Sequence, residues 1–309
     1  MNDIVTNIQK FKKERNAVIL VHNYQLPEVQ DIADFTGDSL GLSIEASKTT
    51  ADVILFCGVH FMAETAKILS PQKTVLIPDS GAGCPMADMI TREQLQALKK
   101  EHPQAKVICY VNTSAEVKAE SDYCCTSANA VEMLEKAFDQ DDKILFVPDK
   151  YLASYAASKT NRNVIIWQGY CPTHARILPE QIIDLKKAHP QAKVMVHPEC
   201  SAPVIRISDE VLSTSGMLRY AKESDATEFI VGTEVEMVYP LSKENPNKIF
   251  YPATELAVCP NMKKTTLEKV EFALKNMVHE ITLPQDIIDR AKKPIDNMLK
   301  FRENAQVTK

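Results

Sequence analysis

A triplicated, parallel α/β fold is what this sequence predicts, and three observations in one register carry it. The string His102-Pro103-Gln104-Ala105-Lys106 returns 87 residues later as His189-Pro190-Gln191-Ala192-Lys193. Cys-Pro pairs stand at Cys84, Cys171 and Cys259, with gaps of 87 and 88. The apolar runs AVILVHNY, KVICYVN and KVMVHPE place His22, Tyr110 and His197 in equivalent positions, 88 and 87 apart. One such coincidence is ordinary, but three at one period mark an internal triplication. The expected architecture is three similar three-layer α/β/α domains with parallel sheets, related by pseudo-threefold symmetry. The expected units are residues 1–88, 89–176 and 177–262, with C-terminal helices over 263–309 packing back on them.

Each unit reads the same way. Amphipathic helices over residues 4–13, 92–100 and 180–187 lead into the first strand, which is short and β-branched. A polar loop follows, then a helix opening near Ser39, Ser127 or Thr214. A second strand is predicted over 53–56, 144–147 and 228–231, followed by a further helix. A third strand over 74–77, 164–167 and 249–251 runs into the Cys-Pro loop. Residues 265–276 read as the opening helix of a fourth copy, and a polar helical tail starts near Pro284. Short apolar strands alternating with helices argue for parallel layers. In such layers functional groups gather at the carboxyl ends of the strands.

Composition narrows the function. The 309 residues are 45% hydrophobic and 25% charged, which is ordinary for a globular chain. A net charge of −5 gives no footprint for nucleic acid or an anionic membrane. No apolar run approaches the ~20 residues of a membrane span, and the polar N-terminus does not read as a signal peptide. The expectation is a cytoplasmic protein without membrane or nucleic-acid partners.

Eight cysteines in a reducing compartment are metal ligands, catalytic thiols or inert core residues. Cys57 and Cys109 sit in apolar strands, Cys200 borders a polar loop, and Cys124-Cys125 are vicinal; these five are left outside the site. Three Cys-Pro loops around a pseudo-threefold axis bring Cys84, Cys171 and Cys259 together. Structural zinc favours closely spaced C-x₂-C pairs, which none of the three has, so a central iron–sulfur cluster suits them better. The strand-end groups His22 and Tyr24, Tyr110 and Asn112, His197 and Glu199 are polar where apolar residues are cheaper to bury. His174 shares the loop of Cys171. Ser39, Ser127 and Thr214 read individually as N-caps and collectively as three helix starts aimed at one anion. No nucleotide-binding glycine motif is present.

The segments VHNYQLPEVQDIADFTGDSL, YVNTSAEVKAESDYCCTSANA, HPECSAPVIRISDEVLSTSG, GCPMADM and CPNM resemble the quinolinate synthase family of bacterial NAD biosynthesis, over about residues 16 to 262. The resemblance implies a three-domain fold around a 4Fe–4S cluster held by Cys84, Cys171 and Cys259, with one iron open as a Lewis acid. It implies condensation of iminoaspartate (iminosuccinate) with dihydroxyacetone phosphate to quinolinate, phosphate and water. Iminoaspartate would arrive by diffusion or through transient contact with an aspartate oxidase. Substrate contacts are implied at His22, Ser39, Tyr110, Val111, Asn112, Ser127, His197, Pro198, Glu199 and Thr214. The candidate proton carriers are Glu199, His197, Tyr24, Tyr110, His22 and His174, with Glu199 and His197 favoured as a base and its positioner. Some family members carry C-x-x-C-x-x-C at the last ligand; here Pro260, Asn261 and Met262 follow Cys259, so no regulatory disulfide is available there. Two other classes remain open on the residues alone: a metal-free or zinc-dependent phosphosugar lyase, and a non-catalytic scaffold in which the Cys-Pro loops are turns.

Overall fold

The structure, a computed structural model, describes residues 2–307. Its strands are β1 (Ala17–His22), β2 (Phe35–Gly37), β3 (Val53–Cys57), β4 (Thr74–Leu76), β5 (Lys106–Tyr110), β6 (Tyr123–Cys125), β7 (Ile144–Val147), β8 (Val164–Ile166), β9 (Lys193–Val196), β10 (Glu210–Val211), β11 (Glu228–Gly232) and β12 (Ile249–Pro252). They form three parallel four-stranded sheets in the same order: β2-β1-β3-β4, β6-β5-β7-β8 and β10-β9-β11-β12. This is the three-layer, triplicated α/β architecture expected from the repeat.

The central strands are buried on both faces, as parallel sheets require; every residue of β3 (VILFC) and β7 (ILFV) is buried. In the third sheet Val194, Val196 and Ile230 pack to one side with Ile182, while Met195, Phe229 and Val231 pack to the other with Met217. That split is the two-residue alternation of a strand.

The sequence reading missed one strand per unit. β2, β6 and β10 lie where it placed a polar loop, and they run for only two or three residues. Such short edges fall below the window in which alternation is detectable. What holds them is a repeated staple. Asp34, Asp122 and Asp209 each accept a hydrogen bond from a backbone N–H of the neighbouring central strand: Ile19, Val107 and Val194, all at 2.8 Å.

The helix Leu267–Asn276 occupies the repeat position of an opening helix, but it has no sheet of its own. It packs beside the helix Asn2–Glu14 on the first sheet, where Val270 and Leu274 join Ile8, Ile19 and Leu55. Asn7 Nδ2 donates to Glu271 Oε1 at 2.9 Å across that contact. The last helix, Gln285–Val307, places Ile287, Ile295 and Met298 in the core shared by the first and second sheets. No helix among the described residues is long and apolar enough to cross a membrane.

Candidate active site

Three strand ends meet at one cavity of ≈ 300 Å³. Sheet order 2-1-3-4 puts the reversal of strand order between the first and third strands of each sheet, where open α/β sheets place their ligands. His22 closes β1, Tyr110 closes β5, and His197 follows β9 directly. Tyr24, Asn112 and Glu199 stand two residues further on, and all six line the cavity. Ser39, Ser127, Thr214, His174 and the thiols of Cys84, Cys171 and Cys259 line it as well. Val111 and Pro198 do not reach it; both side chains are buried in the fold. The remaining cysteines, Cys57, Cys109, Cys124, Cys125 and Cys200, are buried away from the cavity wall.

The turns that follow β1 and β9 are alike. Tyr24 N–H donates to His22 Nδ1 at 3.2 Å, and Glu199 N–H donates to His197 Nδ1 at 3.3 Å. Burial lowers His22 to about 4 and His197 to about 3. Both rings are therefore neutral near pH 7, with Nδ1 accepting and Nε2–H left as the donor each offers.

A continuous relay crosses the cavity. Tyr110 Oη donates to Glu199 Oε1 at 2.6 Å, and Glu199 Oε2 lies 2.8 Å from His174 Nδ1. His174 Nε2 lies 2.9 Å from Thr233 Oγ1, which lies 2.6 Å from Tyr24 Oη. One set of proton positions satisfies every link. Tyr24 donates to Thr233, Thr233 to His174 Nε2, and His174 Nδ1–H and Tyr110 both donate to Glu199. Burial alone would raise the Glu199 carboxyl, but His174 and His197, with the hydrogen bonds from His174 and Tyr110, hold it well below the usual carboxylate range. Burial, followed by the Glu199 charge, pushes both tyrosines well above theirs. The His197 ring stacks on His174 at 4.7 Å, so its direct side-chain contact is with His174, the neighbour of the Glu199 carboxylate in the relay.

The hydroxyl trio is placed differently from the cap expected of it. Ser39 and Thr214 are the first residues of helices Ser39–Lys48 and Thr214–Glu223, and the caps are Asp38 and Ser213. Ser127 lies in the turn before the helix Ala130–Lys136, whose N-cap is Asn129. Freed from capping, the hydroxyls are available to the cavity; Thr214 Oγ1 already accepts from Asn23 Nδ2 at 2.9 Å. Asn112 Oδ1 is buried without a protein partner, an acceptor that a donor in the cavity can reach.

The thiols fit a metal centre. Burial pushes Cys84 up to about 12 and raises Cys171 and Cys259; the Glu199 charge raises Cys84 and Cys171 further, ahead of the smaller contribution of a neighbouring thiol to each. Three such thiols ionise together only around a multivalent cation, and soft thiolates select iron–sulfur or zinc. A second grouping overlaps the first. Ligand atoms of Cys171, His174 and Glu199 lie within 4.8 Å of one another, with His174 Nδ1 3.1 Å from Cys171 Sγ.

Sequence reasoning missed Thr233, Glu234, Asp38 and Arg176, all of which line the cavity or join the relay. Thr233 follows β11 where the other units have Gly58 and Pro148. Comparing copies for like residues therefore passes over it.

Parallel sheets whose strand ends carry an acid–base relay beside a Cys, His and Glu group that could hold a metal ion define the class: an α/β enzyme with a metal-competent centre. Residues 6–300 match the family model described as quinolinate synthetase A protein. A quinolinate synthase of Dehalococcoides mccartyi strain CBDB1 is 55% identical over 293 residues, covering 95% of this chain and 96% of that protein. Quinolinate synthase 1 of Methanosarcina acetivorans is 53% identical over 297 residues, covering 96% and 97%. The chain belongs to the quinolinate synthetase A family, a family of enzymes. A solved structure of the E-1-hydroxy-2-methyl-but-2-enyl-4-diphosphate reductase from Plasmodium falciparum aligns over 93% of this chain and 85% of its own, at TM-score 0.30 and 12% identity. So loose a likeness carries no argument.

Proposed function

We propose that this chain is a quinolinate synthase of NAD biosynthesis. It condenses iminoaspartate with dihydroxyacetone phosphate at a 4Fe–4S cluster held by Cys84, Cys171 and Cys259. The observation that carries this reading is the meeting of three repeat-equivalent thiols and one acid–base relay in a single cavity. The cavity is assembled from units 1–88, 89–176 and 177–262, with the helices Leu267–Asn276 and Gln285–Val307 closing on the first two. Substrates arrive from solution or from an aspartate oxidase. No membrane or nucleic acid takes part.

When bound, the cluster supplies a Lewis acid at the iron that lacks a thiolate. The chain's own residues do the rest. Ser39, Ser127, Thr214, Asn112 and the Nε2–H groups of His22 and His197 hold carboxylate and phosphate oxygens with neutral donors. The tyrosines, held protonated, donate from Tyr24 Oη and Tyr110 Oη. Glu199, held ionised, draws a proton toward His174 Nδ1, so that Nε2 takes one from a substrate or from Thr233. Enolisation, imine formation and dehydration each need one such transfer.

A mononuclear metal on Cys171, His174 and Glu199 is the second reading, favoured by their 4.8 Å clustering. It leaves Cys84 and Cys259 without a role. Anaerobic iron and sulfide counting with a quinolinate assay separates the two. The cluster reading expects 4Fe–4S stoichiometry and quinolinate formation, both abolished by Cys84→Ser, Cys171→Ser or Cys259→Ser and kept by Cys57→Ser. Metal retained in full by Cys84→Ser favours the mononuclear site; no metal and no quinolinate from the wild-type chain removes both.

A further inference from the structure

Each Cys-Pro loop is fastened to its sheet by the same backbone bond. The residue after the third-strand corner donates its N–H to the carbonyl two positions before the cysteine: His60 to Ala82 at 2.8 Å, Lys150 to Gly169 at 2.8 Å, and Val235 to Ala257 at 3.1 Å. The residue just before each donor is the N-cap of the following helix: Val59, Asp149 and Glu234. These three side chains are not equivalent in chemistry: Val59 carries no acceptor, the Asp149 carboxylate faces the Cys171 backbone, and Glu234 accepts directly from the Cys259 N–H.

In the first unit Val59 has nothing to offer. In the second, Asp149 accepts from Leu152 N–H at 2.7 Å and its other oxygen is buried with no partner. In the third, Glu234 is fully buried, and Oε1 accepts from the Cys259 N–H at 3.0 Å while Oε2 accepts from Glu236 N–H at 2.9 Å. Lys263 Nζ lies 2.9 Å from the same Oε1 and donates to the carbonyl of Tyr24 at 2.6 Å. Lys263 itself follows Cys259 by one helical turn, its N–H on the Cys259 carbonyl at 3.3 Å.

We propose that Glu234 is the positioning residue of the third ligand loop, fixing Cys259 through its N–H and, through Lys263, keying that loop to the strand end that carries Tyr24. The assignment rests on the reading of Cys259 as a cluster ligand. Its consequence is that one thiol and one relay tyrosine share a brace, running from the Cys259 N–H through Glu234 and Lys263 to the Tyr24 carbonyl. A backbone N–H on a carboxylate is a charge-assisted hydrogen bond, directional enough to fix the cysteine's backbone and hence its side-chain vector.

The test uses reconstituted holoprotein and follows iron loss to an added chelator under anaerobic conditions, well below the melting temperature. Glu234→Ala is expected to shed iron roughly tenfold to a hundredfold faster than wild type, the range that one hydrogen bond to a charged group spans. Glu234→Gln is expected to fall between, because its amide oxygen still accepts from Cys259 while Lys263 loses its counter-charge. Glu236→Gln, whose carboxylate lies 3.8 Å from the same Lys263, is expected to match wild type. If Glu234→Ala does not fold, Glu234→Gln decides on its own. Iron loss at the wild-type rate from the deciding variant overturns the assignment, as does equal acceleration in Glu236→Gln. A wild-type chain that takes up no iron overturns the functional reading along with it.

Discussion

His22 and His197 show how burial converts a titratable ring into a fixed donor. Each is nearly inaccessible, at 4% and 3% exposed, and each spends Nδ1 on a backbone N–H two residues away. Protonation would put a second charge in a dry site and break that bond, which is why both rings stay neutral far below their ordinary range. The stability consequence has a definite sign. Between about 6.5, where an unfolded histidine titrates, and the folded values of about 4 and about 3, the unfolded chain takes up protons that the native state refuses. Stability is therefore fully present above pH 6.5 and is lost as pH falls through that window, by on the order of 3 kcal/mol for His22 and on the order of 5 kcal/mol for His197. Glu199, held low, adds a loss of the same sign at more acid pH, while Asp149, pushed up by burial, opposes it. Melting of the metal-free protein is expected to fall steeply from pH 6.5 to 4, and His197→Asn, which keeps an acceptor for the Glu199 N–H, is expected to flatten the slope. A melting temperature equal at both ends of that range in wild type contradicts the assignment.

At the scale of single elements, the aspartate staples explain how strands of two or three residues persist at a sheet edge. Asp209 accepts from Val194 N–H while its own N–H donates to the Val194 carbonyl, both at 2.8 Å. β10 thus needs little pairing of its own. Removing the carboxylate leaves a partly buried N–H without a partner, which costs about 1–3 kcal/mol. Asp209→Ala is expected to lower stability by that amount in a denaturant titration, and Asp209→Asn, which still offers an acceptor oxygen, by less than half of it. Equal effects would mean the charge and not the bond is what matters. The corner after β11 is tight for a separate reason. A Cβ on Gly232 would stand 2.6 Å from Val196 Cγ1, so glycine there lets β11 run close to β9 and delivers Thr233 and Glu234 to the cavity.

For the whole molecule, the fourth opening helix is the device that closes the chain on itself. Leu267, Val270, Ala273 and Leu274 are buried against the first sheet, and Ile287, Ile295 and Met298 fill the core between the first and second. At about 1.5–3 kcal/mol for each large apolar side chain buried, these residues together match or exceed the 5–15 kcal/mol by which a native protein outweighs its unfolded chain. A chain ending at residue 264 retains every residue named in the cavity yet is expected to lose cooperative unfolding and to aggregate. A sharp, wild-type-like thermal transition from that truncated chain would show that the units stand without the closing helices.

The triplication, the parallel α/β class, the three thiol loops and the six strand-end polar residues were legible in the residues alone, because duplication preserves spacing and a doubly buried strand must be apolar wherever it occurs. His174 was legible through its nearness to Cys171. The edge strands were not, since two or three residues carry no period. Nor was the status of Ser39 and Thr214 as first helical residues instead of caps, because Asp38 and Ser213 beside them are equally good capping residues and only backbone geometry chooses. Thr233 and Glu234 were hidden for a different reason. Their counterparts in the other copies are chemically unlike them, and their partners, Tyr24, His174 and Cys259, lie as far as 209 residues away in the chain. Sequence by itself determined what converges, since each copy repeats the same strand-end signal. Which groups touch was decided by tertiary structure, because hydrogen bonds depend on ångström-scale placement that only the packing of three sheets around one cavity can set.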